Sequence, residues 1–178
     1  EAQKVLNDTK IYVDDTSMTT CPEILSKCRR LKSREGKLDL IVVDHIQLMN
    51  AVKSSDSRQQ EVTEISRGLK MIAKELDVPV LALSQLSRQI TGRKGMRPML
   101  SDLRESGAIE QDADMVLLLY RKALAMRNRK DDSEYGGAPA EEIEDNTAEV
   151  IVAKNRNGPL KTVNLAFQGM FSRFVNPS

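Results

Sequence analysis

The chain contains no tryptophan, three phenylalanines, three tyrosines, one histidine and two cysteines among its 178 residues. Each scarcity excludes something. With so few aromatics there is no platform on which successive nucleic-acid bases can stack. One histidine, and two cysteines with no histidine near them, do not assemble a transition-metal ligand set. Cys21 and Cys28, seven apart in "CPEILSKC", fall on one face of a helix, which predicts two small core residues rather than a disulfide. No apolar run reaches 18 residues, so no membrane-crossing helix is predicted. Neither sign of charge dominates: 27 Lys and Arg stand against 26 Asp and Glu, net +1. Any contact with nucleic acid must therefore come from a local cluster. The opening "EAQKVLNDTK" has neither an initiator methionine nor a secretory leader, and reads as an interior stretch of a longer cytoplasmic protein.

What is present is an ordinary domain composition, 40% hydrophobic and 30% charged, on a length that suits one core. "IYVD" at 11–14 predicts a short strand. A helix is predicted next, with Thr20 and Glu23 in capping-box spacing, Pro22 in the first turn and Gly36 as terminator. "LDLIVVD" predicts a strand, and its unbroken apolar run suits the middle of a parallel sheet. From Asp56 to Leu76, apolar residues at Val62, Ile65, Leu69, Ile72 and Leu76 trace one stripe at helical period. "VPVLALSQ" (78–85) predicts a second buried strand, and 86–107 a loop. A short helix and a third buried strand, Met115 to Tyr120, follow. Residues 121–146 are polar and predict a mobile loop. "TAEVIVAKNRNGPLKTVNLAFQ" predicts a β-hairpin turning at Asn157, Gly158 and Pro159. Alternating strands and helices make this an α/β fold: a largely parallel sheet flanked by helices, with a C-terminal antiparallel hairpin.

In parallel α/β sheets ligands gather at the carboxyl ends of the strands. Asp44 and Gln85 both stand at such ends. A carboxylate there can hold magnesium, and a neutral amide beside it can orient a phosphate or an attacking water. The residues alone leave a second reading open, in which Asp44 merely caps the helix that follows. Lys154 and Arg156 precede the hairpin turn with a spacing of two, which puts both on one strand face. They read either as a charged hairpin tip or as cations projected toward a partner. Between residues 86 and 104, Arg88, Arg93, Lys94, Arg97 and Arg104 face a single acid, Asp102. A basic, glycine-containing loop suits phosphate contact; the other reading is a solvated connection.

Four stretches, "DLIVVDHIQLM", "ALSQLSRQ", "RPMLSDLRESGAIEQDADMVLLLYR" and "KNRNGPLKTVNLAFQGMFSRF", resemble in order and wording the carboxyl-terminal ATPase domain of DnaB-type replicative DNA helicases. That family is RecA-like and forms rings of six. The resemblance runs from about residue 11 to 174, and "SDLRESGAIEQDAD" is its most specific part. It implies ATP and Mg²⁺ as cofactors, with Asp44 as the metal-coordinating Walker B aspartate. Gln85 is implied as the glutamine that contacts the γ-phosphate and couples its loss to the DNA loops. Lys154 and Arg156 match the pair that enters the neighbouring subunit's active site. Arg104, Glu105 and Gly107 match the DNA-facing loop: Arg104 for a phosphate oxygen, Glu105 for orientation, Gly107 for close backbone approach. The implied partners are single-stranded DNA and identical subunits, with primase and a helicase loader as further partners; the implied polarity is 5′ to 3′. RecA-like recombinases or regulatory ATPases that build filaments share the fold and the strand-end aspartate, but not the "SDLRESGAIEQDAD" block. A non-catalytic DNA-binding remnant is the third alternative.

The sequence departs from the family in one large respect. No G-x-x-x-x-G-K-[ST] occurs; the only Gly-Lys is Gly36-Lys37, followed by Leu38. The phosphate-cradling loop, its lysine and the glutamate that activates water are expected upstream of residue 1. The chain by itself is therefore expected to bind ATP poorly, to hydrolyse none, and to expose the apolar flank that the missing strand would cover. His45 stands where the family more often has tyrosine, and reads as a packing or hydrogen-bonding substitute.

Overall fold

A capping box opens the first helix where the sequence puts it. In the computed structural model, which describes residues 9–52, 57–87, 90, 97–123 and 146–177 (backbone alone for 104–106), α1 spans Cys21–Glu35. The Glu23 carboxylate accepts from the Thr20 backbone N–H at 2.8 Å and from the Thr19 hydroxyl at 3.2 Å. Gly36 closes the helix at φ +82°, a left-handed conformation that favours glycine. Strand β1 (Ile41–Val43) leads through a 3₁₀ turn (Ile46–Leu48) toward α2 (Arg58–Leu76). The Ser57 hydroxyl caps α2 by accepting from the Gln60 N–H. β2 (Val80–Ala82) then pairs with β1 in parallel, Ile41 opposite Val80. A 3₁₀ helix (Leu100–Ser106) runs into α3 (Gly107–Asp112). β3 (Met115–Tyr120), β4 (Thr147–Asn155), β5 (Lys161–Gln168) and β6 (Arg173–Val175) form a four-stranded antiparallel sheet in that order.

The predicted stripe of α2 is the centre of the main core. Val62, Ile65, Leu69, Ile72 and Leu76 are all buried, against Ile41, Val43, Ile46, Met49 and Val78. Each such burial contributes about 1.5–3 kcal/mol. Cys21 and Cys28 pack against this cluster as free thiols, as their spacing predicts. Burial, with the Glu64 charge behind it, pushes the Cys21 thiol up to about 11, so it stays protonated and inert at neutral pH. α1 and α2 meet closely at Gly68: a Cβ there would lie 2.5 Å from Cys21 Sγ and 2.8 Å from Cys21 Cβ. Gly68→Ala should therefore cost about 1–3 kcal/mol in overpacking, against about 1 kcal/mol regained in helix propensity. The urea unfolding midpoint should fall, and a Cys21→Ala, Gly68→Ala double variant should recover part of the loss.

Four sequence expectations change. Residues 11–14 form no strand: they pair with no strand among the described residues, and Val13 is 88% exposed. A strand with no ladder partner has no place for its N–H and C=O groups except water. β1, β2 and β3 are not buried on both faces. Val42, Leu81, Leu117 and Leu119 lie exposed while Ile41, Val43, Val116 and Leu118 face the cores. Their unbroken apolar runs thus leave an apolar face open. The segment read as loop up to residue 107 ends in the 3₁₀ helix; Asp102 starts it by accepting from the Met99 N–H at 2.7 Å. The hairpin is extended by β6, whose Phe174 ring lies 4.9 Å from that of Phe167. The segment expected to be mobile, 121–146, falls almost entirely outside the described residues, as do Arg88, Arg93 and Lys94.

Candidate active site

The parallel ladder continues past the ends of β1 and β2. The Leu83 N–H donates to the Val43 carbonyl at 2.9 Å, and the Ile46 N–H donates to the Leu83 carbonyl at 3.0 Å. These bonds carry the pairing into the two segments that hold Asp44 and Gln85, past the carboxyl ends of neighbouring strands. His45 lies between them: its Nε2 is 3.1 Å from Gln85 Nε2, and its Nδ1 is 3.9 Å from Asp44 Oδ1, too long for a hydrogen bond. Gln47, one 3₁₀ turn further on, accepts from the Gln85 backbone N–H at 3.3 Å and donates to the Ser84 hydroxyl at 3.0 Å. The capping reading of Asp44 is excluded: the residue at the cap of the following turn is His45, and no side chain caps it. The Asp44 side chain is 72% exposed, so its charge is available to solvent and ligand.

Lys154 and Arg156 are placed differently from the sequence expectation. β4 ends at Asn155, so Arg156 belongs to the turn rather than the strand. A register shift between Val116 and Leu117 of β3 also breaks simple alternation near Lys154. The two cations converge all the same, on the last turn of α3. Lys154 donates to the Glu110 carbonyl and, at 3.3 Å, to the Gln111 carbonyl. Arg156 donates to the Gln111 carbonyl at 2.5 Å and pairs with Asp114 at 3.2 Å. Cations at a helix carboxyl end are favourably placed against its dipole. The Lys70 ammonium bonded to Asp114, with the Arg156 charge behind it, holds the Asp114 carboxyl below the usual carboxylate range. The Arg156 side chain is nonetheless 48% exposed. Among the described residues no hydrogen bond or ion pair joins Asp44 or Gln85 to Lys154 or Arg156.

The candidate DNA contacts divide. Arg104 and Glu105 lie on the 3₁₀ helix, with side chains outside the described set. Gly107 sits at the junction with α3 in an ordinary helical conformation (φ −48°, ψ −24°), and nothing lies within 4 Å of its missing Cβ. The fold does not require glycine there, and the backbone is open to approach. Arg97 leaves the basic set: it pairs with Glu149 at 2.6 Å and reaches Thr162, so it anchors the segment to β4 and β5.

Sequence reasoning missed four contributors. Gln47 carries a signal, three residues after a strand-end acid. Ser66, Lys70 and Asp114 do not. The Ser66 hydroxyl donates to Asp112 at 2.8 Å, and the Lys70–Asp114–Arg156 bridge spans separations of more than forty residues. A groove of about 530 Å³ between α1 and α2, lined by Cys21, Val52, Glu64 and Met71, holds none of the candidate residues.

A parallel strand pair backed by an amphipathic helix and followed by an antiparallel sheet puts the chain in the RecA-like α/β class of its solved neighbours. Residues 1–176 match the family described as DnaB-like helicase C terminal domain, and the chain belongs to that family. It is 52% identical over 171 residues to the replicative DNA helicase DnaB of Leifsonia xyli subsp. xyli, covering 96% of this chain and 34% of that protein. It is 51% identical over 172 residues to the replicative DNA helicase DnaC of Bacillus subtilis, covering 96% and 35%. The chain thus spans about a third of the curated relatives it matches. Among solved structures, a DnaB-like replicative helicase described with its interactions with primase superposes at TM-score 0.81 and 42% identity, over 99% of this chain and 40% of the other. Another solved structure, described as an ATPase domain, gives TM-score 0.75 and 45% identity over 90% of this chain and 52% of the other.

Proposed function

We propose that this chain is the carboxyl-terminal part of a cytoplasmic, hexameric replicative helicase motor, which couples ATP hydrolysis to translocation on single-stranded DNA and duplex unwinding. The observation that carries the proposal is the parallel pairing of β1 and β2, whose carboxyl ends run on into Asp44 and Gln85. Catalysis of phosphoryl transfer is mostly positioning and charge stabilisation, and these two side chains supply both kinds of group. The exposed Asp44 carboxylate fits Mg²⁺, which is typically held by one or two carboxylates with water and phosphate oxygens completing the shell. Among the described residues no set of three or more His, Cys, Asp or Glu side chains gathers, and Asp44 is the carboxylate that would face the ion. When bound, the ion neutralises charge on the phosphates.

The Gln85 amide has two N–H donors and a carbonyl acceptor, enough to touch a terminal phosphate oxygen and a water together. Lys154 and Arg156 serve a site on the adjoining subunit, and Arg104, Glu105 and Gly107 face the DNA with little sequence preference. Identical subunits complete the ring, with primase and a loader as further partners. In the full-length protein, Gln85→Ala should lower the DNA-stimulated ATP turnover by about 10²-fold, the usual cost of one well-placed donor at a developing charge. Unchanged steady-state hydrolysis in that variant would remove the basis for the assignment. A filament-forming ATPase is the competing assembly, and negative-stain images of rings rather than helical arrays separate the two.

A further inference from the structure

Gln85 lies in the open, at the rim of the sheet, where a glutamine side chain ordinarily samples many rotamers. Here it is gripped at two points. Gln47 bonds its backbone N–H and the hydroxyl of the preceding Ser84. His45, whose ring is only 24% exposed, meets its side-chain amide at 3.1 Å. The histidine backbone is in turn fixed by the ladder that carries Ile46 onto Leu83. Resting on the nucleotide-site reading above, we infer that His45 is a positioning residue for Gln85, holding its side-chain amide in one place beside the phosphate site.

The chemistry follows from donor and acceptor counts. The Gln85 nitrogen lies 3.1 Å from His45 Nε2, and in the tautomer that carries its proton on Nδ1 the ring accepts from it. One amide N–H is then committed to the ring. The second N–H remains for an anionic oxygen, and the carbonyl is turned away from the imidazole, where it can accept from a water. A reversed amide would set its carbonyl against Nε2, which then bonds it by carrying the proton there, so ring tautomer and amide orientation are coupled. In either pairing the histidine bonds the amide and holds the rotamer that a free glutamine would lose. Gln47 restrains the backbone from which that side chain projects, so the two contacts act on the same residue from different ends.

The test is a double-mutant cycle in the full-length protein, read as steady-state ATP turnover with DNA present. His45→Phe keeps a planar ring and removes the acceptor; His45→Tyr restores a polar atom on a ring. His45→Phe is expected to lower kcat about 10-fold with KM for ATP unchanged within about twofold, because ordering of the amide matters chiefly as charge develops. His45→Tyr is expected to recover most of that loss. In a Gln85→Ala background, His45→Phe is expected to change nothing further. Three results overturn the inference: wild-type turnover in His45→Phe, an equal loss in His45→Tyr, or the same loss repeated in the Gln85→Ala background. If Gln85→Ala itself turns over at the wild-type rate, the nucleotide-site reading fails first. A low Gln85→Ala rate beside an unaffected His45→Phe rate defeats the positioning role alone.

Discussion

Replacing Arg156 by alanine in a fraction of subunits should poison rings out of proportion to dose. The proposed role puts each Arg156 into the site of the next protomer, where an arginine supplied in trans is worth about 10³–10⁵ in rate in well-studied phosphoryl-transfer enzymes. A homogeneous Arg156→Ala protein should therefore lose about 10³-fold in ATP turnover. At equal mixing with wild type, roughly one six-membered ring in sixty would contain no variant subunit. If translocation needs every interface, unwinding should fall far below half, whereas proportional loss would place Arg156 outside the neighbour's chemistry. The structure supplies the competing role: Arg156 bonds the Gln111 carbonyl and Asp114 of its own chain. A purely structural Arg156 would lower the unfolding midpoint and leave mixtures proportional. At 48% exposure the in-chain pair contributes less than about 1 kcal/mol, so little loss of stability is expected. Arg156→Lys adds a further check, because it keeps the charge and loses the planar fork that binds two oxygens at once.

The contrast between Arg156 and the α2 stripe shows which features are legible in sequence alone. Val62, Ile65, Leu69, Ile72 and Leu76 announce themselves because helical period, burial and length are all written within nineteen consecutive residues. Thr20, Glu23 and Gly36 do the same for α1, since caps are local hydrogen-bond problems. Asp44 and Gln85 are readable as polar residues following strands, and the neighbouring of those strands follows from parallel pairing.

What stays hidden depends on partners far along the chain. Nothing near Arg97 signals that Glu149 holds it, and nothing near Asp114 signals Lys70. Those pairs are invisible to a count of basic residues, which is why the loop at 86–104 reads as more uniformly cationic than it is. The apolar runs of β1 and β3 mislead in a more instructive way. A residue such as Val42 or Leu119 is chosen for a buried environment, yet burial needs a second element, and the described residues provide one on a single face only. An apolar run reports the demand for cover and not whether this stretch of chain supplies it.

Asp44→Asn should abolish most turnover while leaving the fold untouched. The substitution keeps the shape of the side chain and removes its charge. The carboxylate is 72% exposed, caps nothing, and among the described residues its one charged or ionisable contact is His45 Nδ1 at 3.9 Å, beyond hydrogen-bonding reach. A surface position of this kind changes stability within about 0.5 kcal/mol when substituted. Its contribution to the proposed chemistry is much larger. A bound divalent ion supplies several kcal/mol of charge stabilisation at a transferring phosphoryl group, and each ~1.36 kcal/mol corresponds to tenfold in rate. Weakening the one carboxylate expected to hold it should thus cost about 10²–10³-fold in kcat. Part of that loss should return at high Mg²⁺ concentration, since a weakened site still fills by mass action. Binding to single-stranded DNA without nucleotide should be unchanged, because the candidate DNA residues lie on the 3₁₀ helix and α3. Paired measurements of the thermal midpoint and of ATP turnover across a Mg²⁺ series separate the outcomes. A lowered midpoint with turnover falling in step would make Asp44 structural, and an unchanged turnover would detach β1 from the nucleotide altogether. Loss of turnover at an unchanged midpoint, partly rescued by the ion, follows only if the acid at the end of β1 meets the metal.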